Sequence, residues 1–509
     1  MNRKLRKLRK SPGLFFKDFF SKHLTTAKGT GAAPRYSLDE AMRLLKLFEM
    51  NYPVSQLYLG DKPCWHILRY GIWMNLWKLT QKSKTASNFN VYNVDISPIW
   101  RAHYIQNLDA IETSKMRAYD YLCFTNLNSS DRMVQDGGTY QRIIDPIYEA
   151  LSKTGSVCKI IPLKIPSSLA GEDYINMPVY ILPSTLQKTG YFNNLNVPDD
   201  FFEKICSHFK IFKLTRRHVY SLIDSYMNLK NYYTEILLAT KPKAVFFLNL
   251  GIHMPLCEAA KELGIICTEI QHGVQKANTP IYNDWMNFPR HGYSGLPDYF
   301  GVWGAVDAAH ISRTFKGTVK PIICGYPWLT KPESRSLTSE AQAAINHLRE
   351  KFDFLGVFTL QNQTAIPEEI VDLAKHMKNA ALVIRKHPKW SKGFRSAAFV
   401  GENIIFDDNF NHTSILSLLE QSDFHITRDS TSAHEANYAG VPTFIYSNEG
   451  RRMFEDEIKN NIVLEIEQLK TLGSARGEML TFLKNYKETK AKKMISDVDL
   501  WDALDIFVQ

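Results

Sequence analysis

The sequence predicts an α/β protein built from two Rossmann-like halves that face a cleft, preceded by a basic amphipathic segment. Three observations carry that expectation. Apolar runs of strand length recur from about residue 118, helix-length amphipathic segments lie between many of them, and a Pro-rich, charged interval from Pro327 to Glu340 divides the series in two. The alternation lasts too long for one open sheet.

The strand-like runs are Tyr119–Thr125, Val157–Pro162, Val179–Leu182, Ala244–Leu248, Ile265–Ile270, Tyr299–Val302 and Pro321–Cys324, then Phe354–Leu360, Ala381–Ile384, Asn403–Phe406, Phe424–Thr427 and Thr443–Ile445. Helical segments are expected at 252–263, 366–378, 413–421 and 432–439. Upstream, Leu38–Met50 reads as an amphipathic helix, followed by a Trp/Tyr/Leu-rich stretch from Tyr58 to Leu79. The expected division is 1–33, a basic amphipathic segment and linker; 34–328, an N-terminal Rossmann-like domain with helical additions; 329–480, a C-terminal Rossmann-like domain; and 481–509, a C-terminal helix.

A chain of 509 residues, 44% hydrophobic and 22% charged, is a folded protein of two or three domains that buries its cores without staples. Its seven cysteines show no CxxC pair, which disfavours a zinc site or a secreted disulfide framework and fits a reducing cytoplasm. The net charge of +10 is concentrated in the first 22 residues, where eight basic side chains oppose Asp18 alone. The remainder is nearly balanced, so nucleic acid is not the expected partner. No run of 18 apolar residues is present, and no apolar core follows the basic run as a signal peptide requires.

In MNRKLRKLRKSPGLFFKDFFSKHL, Phe15, Phe16, Phe19 and Phe20 share one helical face beside Lys17 and Lys22. Such a segment suits the headgroup layer of an anionic membrane, each basic residue adding about 1 kcal/mol. The competing reading is a solvated tail and a helix docked on the protein's own core. Thr25–Ala33 reads as a linker.

Ligands of open α/β sheets bind beyond the carboxyl ends of the strands, and three polar clusters stand there. Thr268-Glu269-Ile270-Gln271-His272-Gly273 places an imidazole at a strand end with a glycine beside it, as a proton acceptor or as a capping residue. Arg385-Lys386-His387-Pro388-Lys389-Trp390 offers several donors to a phosphate, or is a plain basic surface turn. In Thr427-Arg428-Asp429-Ser430-Thr431-Ser432-Ala433-His434-Glu435, hydroxyls open a helix N-terminus that favours an anion, and Glu435 can accept hydrogen bonds from a ribose diol. Plain N-capping by Ser430 or Ser432 is the bland alternative. The chain has no GxxxxGK[ST], GxGxxG opening a βαβ unit, HExxH or GxSxG, so those chemistries lack their residues.

Taken together, TNLNSSDRMVQDGGTYQRIIDPI, TEIQHG, LPDYFGVWG, IICGYPWL, RKHP and TRDSTSAHEANYAGVP resemble the GT-B glycosyltransferases that build bacterial capsule and lipopolysaccharide chains, over about Tyr119–Val463. The opening MNRKLRKLRKSPGLFFKDFF is similar to their N-termini. The C-terminal half resembles bacterial sialyl- and polysialyltransferases, whose HP and Ser-Ser/Thr motifs hold the nucleotide of a CMP-sugar. His387-Pro388 and Ser430-Thr431-Ser432 match those motifs by position. Where that family carries an acidic-acidic-Gly motif with the general base, this chain has Gln271-His272-Gly273.

The resemblance implies a GT-B enzyme on the inner face of the cytoplasmic membrane that moves a sugar from a CMP- or UDP-linked donor to a growing, lipid-linked or free surface polysaccharide. Arg385, His387, Ser430, Thr431 and Ser432 would hold the donor phosphate, Glu435 its ribose, and His272 would take the acceptor proton. Asp131, Asp136 and Asp145 are the next candidates for the base. No metal or other cofactor is expected, since no DxD stands at a strand end. A polyol-phosphate transferase of teichoic-acid type and a non-catalytic assembly subunit are the alternatives.

Overall fold

The structure is a computed structural model that describes residues 38–80, 117–125, 132–135, 138–161, 173–174, 179–181, 191–209, 214–277, 279–283, 285–361, 365–387, 402–473, 475–491, 493–498 and 500–505. The basic N-terminal segment, its linker, Pro388, Lys389, Trp390, Asp131 and Asp136 lie outside those residues. The chain divides into two compact units, 1–99 with 192–223, and 100–191 with 224–509.

The first unit is helical. Helix α1 (Leu38–Asn51) repeats apolar residues at helical spacing, burying Ala41, Leu44, Leu45 and Phe48. Helix α2 (Trp65–Thr80) is apolar on nearly every side. They are joined through the buried Glu49 carboxylate, which accepts from Trp65 Nε1 and Arg69 Nε, each at 2.6 Å. Phe48 packs against Tyr52, Trp65 and Phe209 with ring centres 5.2–5.4 Å apart. A three-stranded antiparallel sheet of Lys62–Pro63, Tyr58–Leu59 and Leu195–Asn196 completes the unit.

The second unit contains two parallel sheets. The N-terminal one comprises β1 (Tyr121–Phe124), β2 (Val157–Ile161), β3 (Val179–Ile181), β4 (Ala244–Phe247), β5 (Ile266–Ile270), β6 (Tyr299–Val302) and β7 (Lys320–Ile323), in the order β3-β2-β1-β4-β5-β6-β7. The C-terminal one comprises β8 (Phe354–Thr359), β9 (Ala380–Arg385), β10 (Ile404–Ile405), β11 (Phe424–Thr427), β12 (Thr443–Ile445) and β13 (Val463–Glu465), in the order β10-β9-β8-β11-β12-β13. Both follow the doubly wound 3-2-1-4-5-6 pattern, reversing direction between β1 and β4 and between β8 and β11. This is the GT-B-like pair of Rossmann-like domains that the sequence predicted. The short edge strand β13 was not among the expected runs.

The central strands are continuously apolar because both faces are covered. In the C-terminal sheet Phe354, Phe358, Leu382 and Ile384 enter one core, while Leu355, Val357, Ala381 and Val383 enter the other, as the two-residue period of a strand requires. After helix α9 (Arg476–Thr489) the chain returns to the N-terminal sheet, where Ser496 N–H donates to the Trp303 carbonyl at 2.9 Å and Ile495 joins the core with Tyr121 and Phe246. A Cβ at Gly304 would stand 2.4 Å from the Met494 carbonyl oxygen, so this return path needs a glycine there.

Candidate functional site

The carboxyl ends of the two sheets meet in the second unit. From the N-terminal side comes the turn after β5, residues 271–276; from the other comes the turn after β11, residues 428–431. A Cβ on Gly273 would lie 3.5 Å from Thr431 Cγ2, the nearest heavy atom outside its own neighbourhood. The His272 cluster and the Ser/Thr cluster, about 160 residues apart in sequence, therefore face each other.

His272 is fixed from its own domain. Gln275 Nε2 lies 3.2 Å from its Nδ1 and 3.1 Å from Glu269 Oε1. Burial lowers the imidazole to about 4, with a hydrogen bond to the Ile270 carbonyl opposing, so the ring is neutral at pH 7. A quarter of the side chain remains exposed. Beside it, Gln271 ties the turn down: its Oε1 accepts from Trp303 N–H at 2.7 Å, and its Nε2 donates to the Gly273 carbonyl and to Asp307 Oδ2, both at 3.1 Å.

Glu269 points inward from β5 and is fully buried. Its Oε1 accepts from the Tyr282 hydroxyl at 2.5 Å, from Leu250 N–H at 3.0 Å and from Gln275. Burial raises the carboxyl to about 8 despite those donors. A carboxylate inside an otherwise apolar run was a legible signal, yet sequence reasoning passed over it in favour of the histidine.

A buried ionic cluster crosses between the two sheets next to this turn. Lys276 Nζ pairs with Glu457, on α8 (Glu455–Lys459), and lies 3.2 Å from Asp307 Oδ1, on α5 (Ala305–Thr314). His434 Nε2 approaches Asp307 Oδ2 at 3.8 Å, its ring edge-on to Trp303. Burial disfavours both charges, but mutual attraction wins: Lys276 is raised and Asp307 is held well below the usual carboxylate range. Nothing in the local sequence of either partner marks this contact.

On the C-terminal side the hydroxyls separate into two roles. Ser432, at the start of α6 (Ser432–Tyr438), is buried, its Oγ 3.1 Å from Thr359 Oγ1 and 3.2 Å from His425 Nε2. It fastens α6 to the end of β8 at the switch point. Ser430 and Thr431 are partly exposed. Ser430 Oγ accepts Ser432 N–H at 3.2 Å, whereas the Thr431 hydroxyl and amide N–H donate no hydrogen bond among the described residues. Glu435 is buried, 8% exposed, within α6. Arg428 grips Asp429 through Nε at 3.0 Å and Nη2 at 3.2 Å.

Arg385 ends β9. Its guanidinium donates to the Phe410 and Thr413 carbonyls at 2.5 and 2.8 Å, holding the segment that follows β10. Burial first, and then the like charge of Arg142, lower it to about 10. A second guanidinium from the N-terminal domain thus stands near the first, which is the field an anion would relieve. Lys386 is committed to Asp408 at 2.8 Å, and His387 is partly exposed at the last described position of this turn. Asp145 is buried against Lys159 at 2.5 Å and accepts Gln141 N–H at 2.8 Å, a structural ion pair. Among the described residues no three His, Cys, Asp or Glu side chains converge as metal ligands, and no helix is long and apolar enough to cross a membrane.

No protein-family model matches the chain, and no match was found among curated proteins. Solved structures that it resembles include a glycotransferase of kitacinnamycin, with TM-score 0.43, 13% identity, and 77% of this chain covering 100% of that one. The calicheamicin glycosyltransferase CalG4 gives TM-score 0.43 and 12% identity, with 77% and 99% covered. The wall teichoic acid polymerase TagF gives TM-score 0.38 and 13% identity, with 76% and 87% covered.

Proposed function

We propose that this chain is a metal-independent GT-B glycosyltransferase that moves a sugar from a nucleotide-sugar donor to a growing bacterial surface polysaccharide, of capsule or lipopolysaccharide type, at the inner face of the cytoplasmic membrane. The observation that carries this reading is the meeting of a neutral histidine with an open hydroxyl turn at the apposed carboxyl ends of two doubly wound sheets. The basic N-terminal segment supplies the attachment to anionic lipid.

In this reading the donor phosphates lie over the turn of Ser430 and Thr431, with Arg385, His387 and the adjacent Arg142 neutralising the charge that collects on the leaving group. Ser432 supports the turn from beneath, and Glu435 meets the ribose. Across from them His272 takes the proton of the acceptor hydroxyl as its oxygen bonds to the anomeric carbon and the carbon–phosphate oxygen bond breaks.

Binding of CMP, UDP, GDP and CDP, followed by thermal unfolding, tests the donor half. A ligand at 100 times its Kd stabilises by about 2.7 kcal/mol. One nucleotide should do so in the wild type and lose affinity in the Ser430→Ala/Thr431→Ala protein. Equal binding to both proteins would move the donor elsewhere.

A further inference from the structure

We propose that Lys276 is a positioning residue: its buried ion pair with Glu457 sets the register of the turn that carries His272 against the Ser430/Thr431 turn of the opposite domain. The roles of the two turns rest on the proposed function, whereas the register itself is a matter of geometry.

The 271–276 turn is held at both ends by one carboxylate of its own domain. Asp307 Oδ2 accepts from Gln271 Nε2 at 3.1 Å, and Oδ1 lies 3.2 Å from Lys276 Nζ. His434 of α6 comes within 3.8 Å of the same Oδ2, so the helix behind the Ser/Thr turn closes on this carboxylate as well. Two side chains of the turn then cross to the C-terminal domain. Val274 enters an apolar cluster with Ala433, Ile445 and Phe454, and Lys276 Nζ pairs with Glu457 on α8. Farther out, Arg313 Nη2 meets Asp456 Oδ2 at 2.6 Å.

These crossing contacts differ in what they can fix. Apolar burial is non-directional, so Val274 attracts the two domains without choosing one alignment. The Arg313 side chain is 60% exposed, and its pair is weakened by solvent. Lys276 and Glu457 are 5% and 1% exposed. Neither can turn to water, so a slide of the domains that parts them strands a buried charge. Choosing one arrangement among several of similar apolar burial is the best-attested use of a buried polar contact. The separation chosen here is the one between Gly273 and Thr431, where a Cβ on the glycine would stand 3.5 Å from Thr431 Cγ2.

A Gly273→Cys/Thr431→Cys protein reads that separation without any substrate. Gly273 holds no positive φ, so its backbone accepts a side chain, and the Cβ atoms of a disulfide lie about 3.5–4.5 Å apart. In a glutathione redox buffer the ratio of disulfide to dithiol gives the effective concentration of one thiol at the other. The single Gly273→Cys and Thr431→Cys proteins control for pairing with the seven native cysteines. Adding Glu457→Leu, which removes the carboxylate while Asp307 keeps Lys276 paired, should lower the effective concentration roughly tenfold. Glu457→Asp keeps the charge but withdraws it by one methylene; it should lower the value by a smaller factor, and it serves if the Glu457→Leu protein does not fold. A folded protein of either kind that matches its parent overturns the proposal. A purely stabilising role would lower Tm and leave the effective concentration, measured far below Tm, unchanged.

With Gly273 and Thr431 in place, Glu457→Leu should lower kcat for glycosyl transfer roughly tenfold at unchanged nucleotide Kd, because Ser432 fastens its turn to Thr359 and His425 of its own domain. Unchanged kcat in a protein whose effective concentration has fallen would remove Lys276 from the positioning of the base. Absence of glycosyl transfer by the wild type would overturn the proposed function and leave the register standing.

Discussion

Replacing Lys276 by methionine removes the ammonium that lies between Asp307 and Glu457 while keeping most of the volume of the side chain. All three side chains are at most 7% exposed, so neither carboxylate can recover its hydration. Deleting one partner of a buried pair costs about 3–5 kcal/mol, most of it the stranded opposite charge. Here two carboxylates are stranded, with Gln271 and His434 as the remaining neighbours of Asp307. The expected loss at pH 7 is at the upper end of that range. At Asp307 the ammonium is what offsets burial, so without it that carboxyl titrates higher than in the wild type and the variant should recover stability relative to the wild type as pH falls from 7 to 5. Urea unfolding followed by tryptophan fluorescence at both pH values reads the difference from the midpoint shift. Lys276→Met/Glu457→Leu should regain part of the loss, because an apolar replacement removes one stranded charge. A single variant within about 1 kcal/mol of the wild type at pH 7 would show that the ammonium does not hold the two carboxylates.

Four further outcomes are expected. His425, buried and within hydrogen-bond distance of Thr359, Ser432 and Thr443, is pushed by burial to about 3. Unfolded histidine titrates near 6.5, so stability is full above that value and falls by about 2 kcal/mol by pH 5; His425→Asn should flatten this slope in a pH series of unfolding curves. Gly450 stands where a Cβ would be 2.0 Å from the Arg428 carbonyl oxygen, so Gly450→Ala should destabilise by about 1–3 kcal/mol and weaken nucleotide binding through displacement of the 428–431 turn, read by calorimetry. Ser430→Ala/Thr431→Ala should lower nucleotide affinity, each lost charge-assisted bond contributing about 1.5–3 kcal/mol, with a Tm loss no larger than that of one helix cap, since Ser430 Oγ accepts Ser432 N–H. Ser432→Ala should instead lower Tm, since its hydroxyl links α6 to β8 and β11.

The apolar runs announced the sheets because buried parallel strands need uninterrupted hydrophobic sequence, and each run from Tyr119 to Thr443 contains an observed strand. Val463–Glu465 escaped because Glu465 and Glu467 break its apolar run after Ile462-Val463-Leu464 and the sequence then continues with helical spacing. The His272 and Ser/Thr clusters stood out as polar residues at strand ends, but their hydroxyls could not be ranked from sequence. Ser430, Thr431 and Ser432 are chemically alike, and only the direction of each side chain separates the buried linker from the open pair. Lys276, Asp307 and Glu457 were illegible for a different reason. Lys276 and Glu457 are 181 residues apart and belong to different Rossmann-like domains, so their contact exists only once both domains have folded.

Glycosyl transfer with His272 as the base is tested by product analysis after incubating the full chain with nucleotide-sugars and an oligosaccharide acceptor, with the wild type and His272→Ala compared side by side. The wild type should release free nucleotide in step with a new glycosidic linkage, seen by mass spectrometry and NMR, and His272→Ala should lose roughly 10²–10⁴ in kcat while retaining its nucleotide Kd. A phosphodiester product would identify a polyol-phosphate transferase instead, and near wild-type turnover by a folded His272→Ala protein would contradict the assignment of the base.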